Sequence, residues 1–375
     1  MTTFGAHSRH SARSRVLARS LGSMRATIIH GPYDVRVEEV PDPTIHAPHD
    51  AIIRVLAACV CGSDLWHYRG QATGALPRPI GHEVVGVVQE VGADVTTLSP
   101  GDVVVSPFFY CCGECPPCRW GIHTNCEVGG YYGADDREGH PLPGCQGELL
   151  RVPLADGTLV RIDRPEAEID ETLLKSILTI SDVMGTGHHA VLAAGTRPGD
   201  TVAVVGDGAV GLCAVAAARR IGAERIVLFS RYPERQEIGR RLGATDILTT
   251  RGEDGVAELT ALLGGYGADR VVEAVGQQES LDQAIAATRP GGRVGVVGVP
   301  HGVQGIRPRA LFNRNIGIAG GVAPVRAYTE ELLADVLADT LDPSPVFDVV
   351  MPLSDIADAY AAMDQRRAVK VMVRP

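Results

Sequence analysis

The sequence predicts an α/β protein made of a β-rich domain and a second domain with a doubly wound parallel sheet. Between residues 24 and 105, short β-type runs are separated by Gly, Pro and Asp turns, which is typical of a small barrel-like domain. From residue 201 onward, strands alternate with helices, and this alternation indicates a doubly wound parallel sheet. The 375 residues of the chain are enough for two such domains, each with a core.

The individual elements follow from runs of apolar and β-branched residues that end at turn residues. In the β-rich domain, strands are predicted at residues 25–29, 35–40, 51–59, 84–91 and 102–105. In the second domain, strands are predicted at residues 201–206, 225–229, 246–249, 269–275 and 293–299, with helices ending near 221 and spanning about 255–263 and 279–288. The last 50 residues return to mixed character, with a predicted helix at 354–363 and a strand at 369–373.

Composition and charge exclude several classes of partner. The chain is 45% hydrophobic and 21% charged, which is ordinary for a globular protein, and its net charge is −10. Because a phosphate backbone would repel this charge, we expect no nucleic-acid partner. No apolar run reaches the roughly 20 residues that a membrane-spanning helix needs, so we expect no membrane partner. Nothing in the sequence looks secreted, and we expect a cytoplasmic protein.

Residues 1–23 differ from the rest because they contain several arginines and serines but no acidic residue. This composition also fits a transit peptide, and it lacks the apolar core of a secretory signal. A third interpretation is that translation starts at Met24. Since Met24 opens directly onto a β-type run, we predict that residues 1–23 are a disordered extension.

Four cysteines between residues 112 and 126 have the spacing of a closed metal site. Two residues separate each of the first three, and seven separate the third from the fourth: Cys112, Cys115, Cys118 and Cys126. Thiolates at this spacing can surround one ion as a tetrahedron, and Zn²⁺ is the ion that most often takes four sulfurs. The alternative is a pair of disulfides. We predict a structural zinc lobe at about residues 108–130, with Cys112 rather than Cys111 as the first ligand.

A closed zinc site leads us to look for a second, open one. Cys61 follows a predicted strand, and His82 precedes another. The two residues are too far apart in sequence for a local zinc finger, but the β-rich domain could bring them together. Taken alone, His82 could equally be a core histidine.

A glycine-rich turn between the first strand and helix of the second domain predicts a dinucleotide site. Gly206, Gly208 and Gly211 allow a tight turn, close approach of a pyrophosphate and packing of the helix on the strand. The helix starting with Ala209 and Val210 then directs its N-terminal N–H groups at the phosphates.

The end of the second strand carries no acidic residue to hold the hydroxyls of an adenosine ribose. Ser230 and Arg231 stand there instead. A hydroxyl and a guanidinium suit a 2′-phosphate, so the pair favours NADP(H) over NAD(H). The alternative is that Arg231 is a solvated surface residue.

Taken together, these motifs resemble the zinc-dependent medium-chain alcohol dehydrogenase family, in its bacterial form. The matching pieces are Cys61-Gly62-Ser63-Asp64, Gly81-His82-Glu83, the four cysteines, Gly185-Thr186-Gly187 and the glycine turn, in the order of the family. The resemblance covers the chain from about residue 24 to its end. It implies a GroES-like catalytic domain at 24–180, a Rossmann domain at 181–324, and a return to the catalytic domain at 325–375.

The resemblance also implies roles for residues around the open metal site. Asp182 matches the third ligand of the catalytic zinc, beside Cys61 and His82, although an aspartate there could instead cap a helix. Glu83 approaches or joins the metal in related enzymes. Asp64 matches a carboxylate that orients the histidine ligand.

Two further residues match the proton relay of the family, and one matches its cofactor contacts. Ser63 corresponds to the hydroxyl that hydrogen-bonds the substrate oxygen. The histidine that often ends the relay is displaced by one position, because Trp66 occupies its place and His67 follows. His67 could still reach the relay, or the relay could end in water. Thr186 is expected at the cofactor.

The resemblance implies a zinc-dependent oxidoreductase that transfers hydride between an alcohol, or its aldehyde or ketone, and NADP(H). Each chain would hold one catalytic and one structural zinc. One alternative is a polyol, sugar, threonine or formaldehyde dehydrogenase of the same fold with NAD(H). Another is a non-catalytic NADPH-binding relative. We also expect a homodimer or homotetramer that pairs through an edge strand at residues 315–322.

Overall fold

The structure, a computed structural model, describes residues 22–375. The first half of the chain forms ten strands and five helices. Its strands are β1 (Ser23–Gly31), β2 (Asp34–Pro41), β3 (Ala51–Cys59), β4 (Arg78–Pro79), β5 (Val84–Val91), β6 (Val103–Ser106), β7 (Phe109–Tyr110), β8 (Gly130–Tyr131), β9 (Leu149–Val152) and β10 (Val160–Arg161). Its helices are α1 (Asp64–Tyr68), α2 (Pro116–Arg119), α3 (Ala155–Thr158), α4 (Glu171–Ile180) and α5 (Val183–Ala193).

The second half alternates strands with helices over most of its length. Its strands are β11 (Thr201–Val205), β12 (Arg225–Phe229), β13 (Asp246–Leu248), β14 (Ala268–Glu273), β15 (Thr288–Val296), β16 (Gly317–Gly320), β17 (Val349–Pro352) and β18 (Val371–Arg374). Its helices are α6 (Ala209–Ile221), α7 (Pro233–Leu242), α8 (Gly252–Leu262), α9 (Gln278–Ala287), α10 (Pro308–Arg314), α11 (Thr329–Leu337) and α12 (Ile356–Asp364).

The β-rich part is built on a seven-stranded sheet. Its order is β10-β6-β5-β3-β18-β17, and β9 also pairs with β3. The last strand of the chain runs antiparallel to β3, with Met372 opposite Cys59. The end of the chain therefore returns to the β-rich sheet, and it carries Lys370 into the neighbourhood of Cys61. A smaller sheet, β2-β1-β4, lies beside it.

The second sheet has six parallel strands in the order β13-β12-β11-β14-β15-β16. The strand order reverses between β11 and β14, and ligands of doubly wound sheets bind at the carboxyl ends of the strands near such a reversal. The glycine turn that follows β11 lies at this point. The predicted α/β class, with one β-rich domain and one doubly wound parallel sheet, is confirmed.

Boundaries differ from the predictions by a few residues at most strand ends. The strands predicted at 51–59, 84–91 and 225–229 have the observed limits. The edge strand predicted at 315–322 is β16, which is shorter and lies at one edge of the parallel sheet. The extension predicted at residues 1–23 lies outside the described residues except for its last two, and Ser23 already begins β1.

Two helices between the sheets, α4 and α5, have no counterpart among the predicted elements. Helix α5 packs against α6 and β15, and α11 packs against α4. Because α5 is apolar on nearly every side, with Met184 and Val191 fully buried, its sequence shows no amphipathic period. We keep residues 180 and 324 as proposed domain limits. Within residues 22–375, no helix is both long and apolar enough to span a bilayer.

Candidate active site and metal centres

The four-cysteine lobe forms one compact cluster of sulfur atoms. Cys126 Sγ lies 3.6 Å from Cys112 Sγ and 3.8 Å from Cys115 Sγ, and the four sulfurs lie within 4.8 Å of one another. Sulfurs bound at about 2.3 Å to one tetrahedral ion stand about 3.8 Å apart, so this spacing fits zinc. A disulfide needs about 2.05 Å, and the cysteines are free thiols.

Backbone N–H groups prepare these sulfurs to carry negative charge. The N–H groups of Glu114 and Cys115 point at Cys112 Sγ at 3.4 and 3.3 Å. Donation from the backbone of Glu127 is the main cause that lowers the pKa of Cys115 to about 7. The neighbouring Cys111 instead directs its thiol at the carbonyl of Gly157, and burial raises its pKa to about 12. The chemistry of the donors thus matches the predicted ligand set.

A second cluster of potential ligands is assembled from three distant segments. Cys61 follows β3, His82 and Glu83 precede β5, and Asp182 precedes α5. One ligand atom from each of the four lies within 4.8 Å of the other three. Asp182 Oδ2 lies 3.6 Å from Cys61 Sγ and 3.3 Å from His82 Nε2. A thiol, an imidazole and a carboxylate therefore converge on one point, as the resemblance implied.

The environment of His82 favours a cation at this point. Its Nδ1 faces Asp64 Oδ1 at 3.3 Å, which leaves Nε2 directed at the ligand cluster. Burial by itself lowers the pKa of His82, but the negative charges of Asp64 and Cys61 outweigh it, and the pKa lies well above its usual range. Such a concentration of acceptors is chemically suited to Zn²⁺.

Asp182 is not used as a helix cap. It precedes α5, but its side chain accepts no bond from the backbone of that helix. Instead, Asp182 Oδ1 accepts a 2.8 Å hydrogen bond from the hydroxyl of Thr186. This bond orients the carboxylate so that Oδ2 faces Cys61 and His82. Thr186, which we predicted as a cofactor contact, thus also positions a ligand.

Glu83 is fully buried and lies behind the other three ligands. Its Oε1 accepts a 2.6 Å hydrogen bond from Lys370 Nζ, while its Oε2 is buried with no hydrogen-bond partner. Oε1 lies 4.0 Å from His82 Nε2. An unpartnered buried oxygen beside three ligands fits a carboxylate that approaches a metal ion.

One large cavity, about 1360 Å³ in volume, joins the ligand cluster to the glycine turn. The predicted site residues on its wall are Cys61, Ser63, His67, His82, Asp182, Thr186, Gly206, Gly208, Ala209 and Val210. Phe108 and Tyr131, which sequence reasoning did not single out, also form part of the wall. Their rings stack in parallel, and Phe108 meets the His82 ring edge-on at 6.3 Å. They give the metal end of the cavity an apolar face.

The glycine turn has the shape that a phosphate group requires. Gly206 has a φ of +123°, which only glycine adopts readily. A Cβ on Gly211 would lie 1.9 Å from the Gly206 carbonyl oxygen, so Gly211 serves close packing rather than the cavity wall. Around Gly208 there is open space within 4 Å, at the N-terminus of α6. The turn therefore fits a pyrophosphate.

The structure differs from the prediction at the end of β12. Ser230 is 1% exposed, and its hydroxyl donates a 2.9 Å hydrogen bond to Asp207 Oδ2. Asp207 also accepts from Arg235 at 3.2 Å. Neither Ser230 nor Arg231 is among the described residues on the cavity wall. Sequence reasoning missed this because Asp207 belongs to the glycine turn and its side chain crosses to the next strand.

The cavity wall at this end is formed by Tyr232 and by arginines other than Arg231. Arg366 donates a 2.8 Å hydrogen bond to the Tyr232 hydroxyl, which is the main cause that lowers the pKa of that hydroxyl. Arg235 lies over the same ring, 5.3 Å from its centroid. Arg231 is 6.0 Å from the centroid. Arg366 belongs to the turn between α12 and β18, so the two sheets of the protein both contribute to this wall.

The residues of the predicted relay lie on one side of the cavity. Ser63 is exposed to it, and His67 is half-buried. Burial and the positive charge of Arg78 lower the pKa of His67. Arg78 donates to His67 Nε2 at 3.0 Å, so that nitrogen cannot accept a substrate proton while this bond persists. Trp66 stacks on His301, with ring centroids 3.6 Å apart.

Comparison with known proteins identifies the family. The alcohol dehydrogenase GroES-like domain matches residues 47–163, and the zinc-binding dehydrogenase domain matches residues 209–338. A probable zinc-binding alcohol dehydrogenase of Mycobacterium tuberculosis is 36% identical, over 92% of this chain and 86% of its own length. The chain belongs to the zinc-dependent medium-chain alcohol dehydrogenase family. It is therefore an oxidoreductase of a family that uses zinc and a nicotinamide cofactor on small molecules.

Two further members of the family are similar over nearly the whole chain. The alcohol dehydrogenase TADH from Thermus sp. ATN1 has a TM-score of 0.85 and 34% identity, covering 94% of this chain and 99% of its own. A glutathione-independent formaldehyde dehydrogenase of Pseudomonas aeruginosa is 30% identical, over 94% of this chain and 97% of its own. The GroES-like and Rossmann architecture implied by the motifs is thereby confirmed.

Proposed function

We propose that this member of the family is a zinc-dependent oxidoreductase that transfers hydride between an alcohol, or its aldehyde or ketone, and NADP(H). The observation that carries the proposal is the convergence of Cys61, His82 and Asp182 on one point of the cavity wall. The same cavity continues to the glycine turn. A cofactor held at the turn and a substrate held at the ligand cluster would therefore meet in one space.

The side chains of the cavity have separable tasks in this reaction. When bound, zinc would act as a Lewis acid on the substrate oxygen, and the nicotinamide would exchange the hydride. Cys61, His82 and Asp182 would hold the metal, with Asp64 and Thr186 orienting two of these ligands. Ser63 lies on the cavity wall and would take the alcohol proton first. The apolar rings of Phe108 and Tyr131 would exclude water.

The proposed preference for NADP(H) rests on the charge of the cavity wall near β12. The carboxylate there, Asp207, is engaged by Ser230 and Arg235. Arg366 and Tyr232 face the cavity and could bind a 2′-phosphate. We therefore move the proposed phosphate contact from Ser230 and Arg231 to Arg235 and Arg366, since guanidinium groups bind phosphate through charge-assisted hydrogen bonds.

Formaldehyde oxidation is a second candidate. Its support is the formaldehyde dehydrogenase of Pseudomonas aeruginosa, which is 30% identical over nearly the whole chain. Polyol, sugar and threonine oxidation, and a non-catalytic role, have no specific support of this kind. A panel of alcohols, aldehydes, polyols and threonine, tested with both NADP⁺ and NAD⁺, separates these alternatives.

The experiment that tests the proposal combines metal analysis with turnover. We expect about two zinc ions per chain and reduction of NADP⁺ by at least one simple alcohol. A chain that holds two zinc ions but transfers hydride to neither cofactor with any substrate of the panel would contradict the proposal.

Two less direct features are also proposed. The edge strand β16 has no second neighbour among the described residues, and we propose that it pairs with another copy in a homodimer or homotetramer. The mass in solution tests this. The nine cysteines are free thiols, which fits a reducing compartment such as the cytoplasm.

A further inference from the structure

Arg78 places a positive charge on the cavity wall without a carboxylate partner. It belongs to β4, and its side chain lies beside His67. The only hydrogen bond of its guanidinium within residues 22–375 goes to His67 Nε2. Its Nε is buried and has no hydrogen-bond partner. The group is thus partly desolvated while much of its donor capacity is unused.

A second arginine on the same wall shows what a satisfied guanidinium looks like here. Arg69 Nε donates at 2.6 Å to Asp364 Oδ1, so its charge is already paired. His67 offers Arg78 no such compensation. A guanidinium can only donate, so His67 Nε2 must be the acceptor and the imidazole must be neutral. The charge of Arg78 remains unpaired.

An unpaired guanidinium that is partly withdrawn from water is costly unless a ligand pairs with it. Its planar fork matches the two oxygens of a carboxylate or a phosphate. We propose that Arg78 binds an anionic oxygen group of a ligand in the cavity. Two sources have this chemistry: the carboxylate of an acidic alcohol or aldehyde substrate, and the diphosphate of the cofactor. The proposal rests on the proposed function, because both ligands belong to that reaction.

The substrate source is tested by binding to the NADP⁺-loaded enzyme. The probes are benzyl alcohol and 4-(hydroxymethyl)benzoate, which differ only in the carboxylate, and binding is measured by calorimetry. If Arg78 binds a substrate carboxylate, the wild type prefers the charged probe at least about tenfold. The Arg78→Gln variant should lose this preference, and Arg78→Lys should keep part of it. The matched control, Arg69→Gln, removes an equal charge whose partner is internal, and it should keep the preference.

The cofactor source is tested with NADPH and adenosine 2′,5′-bisphosphate, which lacks the nicotinamide half and its phosphate. If Arg78 binds the diphosphate, Arg78→Gln weakens NADPH at least about tenfold and leaves the bisphosphate within about twofold. Zinc content and circular dichroism establish that each variant is folded, and Arg78→Lys replaces a variant that is not.

The assignment is wrong if Arg78→Gln changes neither the probe preference nor the affinity for NADPH by more than about twofold. It is also wrong if Arg69→Gln has the same effects as Arg78→Gln. Both arms measure binding rather than turnover. An enzyme that binds these ligands through Arg78 but reduces no cofactor would overturn the proposed function and leave this assignment standing.

Discussion

Lys370 Nζ lies 2.6 Å from Glu83 Oε1, and both side chains are essentially inaccessible to solvent, at 1% and 0% exposure. The two residues are 287 positions apart, so this ion pair joins the end of the chain to the segment that carries His82. Lys370 Nζ also donates to the carbonyl of Val60, next to Cys61. The pair therefore braces two ligand-bearing segments from behind.

Removing one partner of this pair should be strongly destabilising. Lys370→Met leaves the Glu83 carboxylate buried and unpaired, so we expect a loss of about 3–5 kcal/mol in the free energy of unfolding. The double variant Lys370→Met with Glu83→Gln should recover part of this loss. Urea unfolding, with zinc content measured alongside, checks both. Equal stability of the wild type and Lys370→Met would contradict a braced pair.

The two zinc sites should be separable by substitution in the lobe. Cys115→Ser removes one sulfur from the closed cluster, and we expect zinc to fall from about two ions per chain to about one, with loss of stability. Cys111→Ser is the matched control, because its thiol faces the Gly157 carbonyl rather than the cluster. It should keep both ions. If Cys111→Ser loses zinc and Cys115→Ser does not, the ligand assignment of the lobe is wrong.

Cofactor selectivity should depend on Arg366 more than on Arg231. Loss of one charge-assisted hydrogen bond costs about 1.5–3 kcal/mol, so Arg366→Ala should raise the Kd of NADPH about tenfold or more. The Kd of NADH should change much less, since that cofactor has no 2′-phosphate. Arg231→Ala serves as the comparison. A larger effect on NADPH from Arg231→Ala would return the phosphate contact to the residue chosen from the sequence.

The stability of the chain should depend on pH through Asp136. Burial raises the pKa of this carboxyl, but hydrogen bonds from the His140 backbone and from Arg151 outweigh it and lower the pKa to about 2. A folded-state pKa below the unfolded value contributes stability above about pH 4, and this contribution is lost as the pH falls towards 2.

We therefore expect Asp136→Asn to destabilise the protein by about 2 kcal/mol at pH 7, with a difference that narrows only below about pH 4. Asp135→Asn, at the exposed neighbouring position, is the control and should cost little. Urea unfolding at a series of pH values measures both. A difference that already vanishes near pH 6 would exclude this carboxyl as its source.

Local patterns in the sequence were sufficient to predict the fold and the ligand residues. The apolar runs at 51–59 and 225–229 end at turn residues, and they have the observed strand limits. The spacing from Cys112 to Cys126 is short enough for the chain itself to close the cluster. Cys61, His82 and Asp182 are remote from one another, and only the resemblance to a family connected them before the structure did.

Contacts that depend on side chains crossing between elements could not be read in this way. Asp207 reaches Ser230 on the next strand, which no local pattern shows. Lys370 left one signal, because it is one of two lysines in the chain and falls inside an otherwise apolar predicted strand. Its partner, Glu83, could be found only once the register of β18 against β3 was known.

Anomalous X-ray diffraction at the zinc edge, from crystals grown with zinc and NADP⁺, is the most direct test of the central claim. The account predicts one ion at about 2.0–2.3 Å from Cys61 Sγ, His82 Nε2 and an Asp182 carboxylate oxygen, on the wall of the cofactor cavity. A zinc ion in the four-cysteine lobe with none bound by these three residues would contradict it.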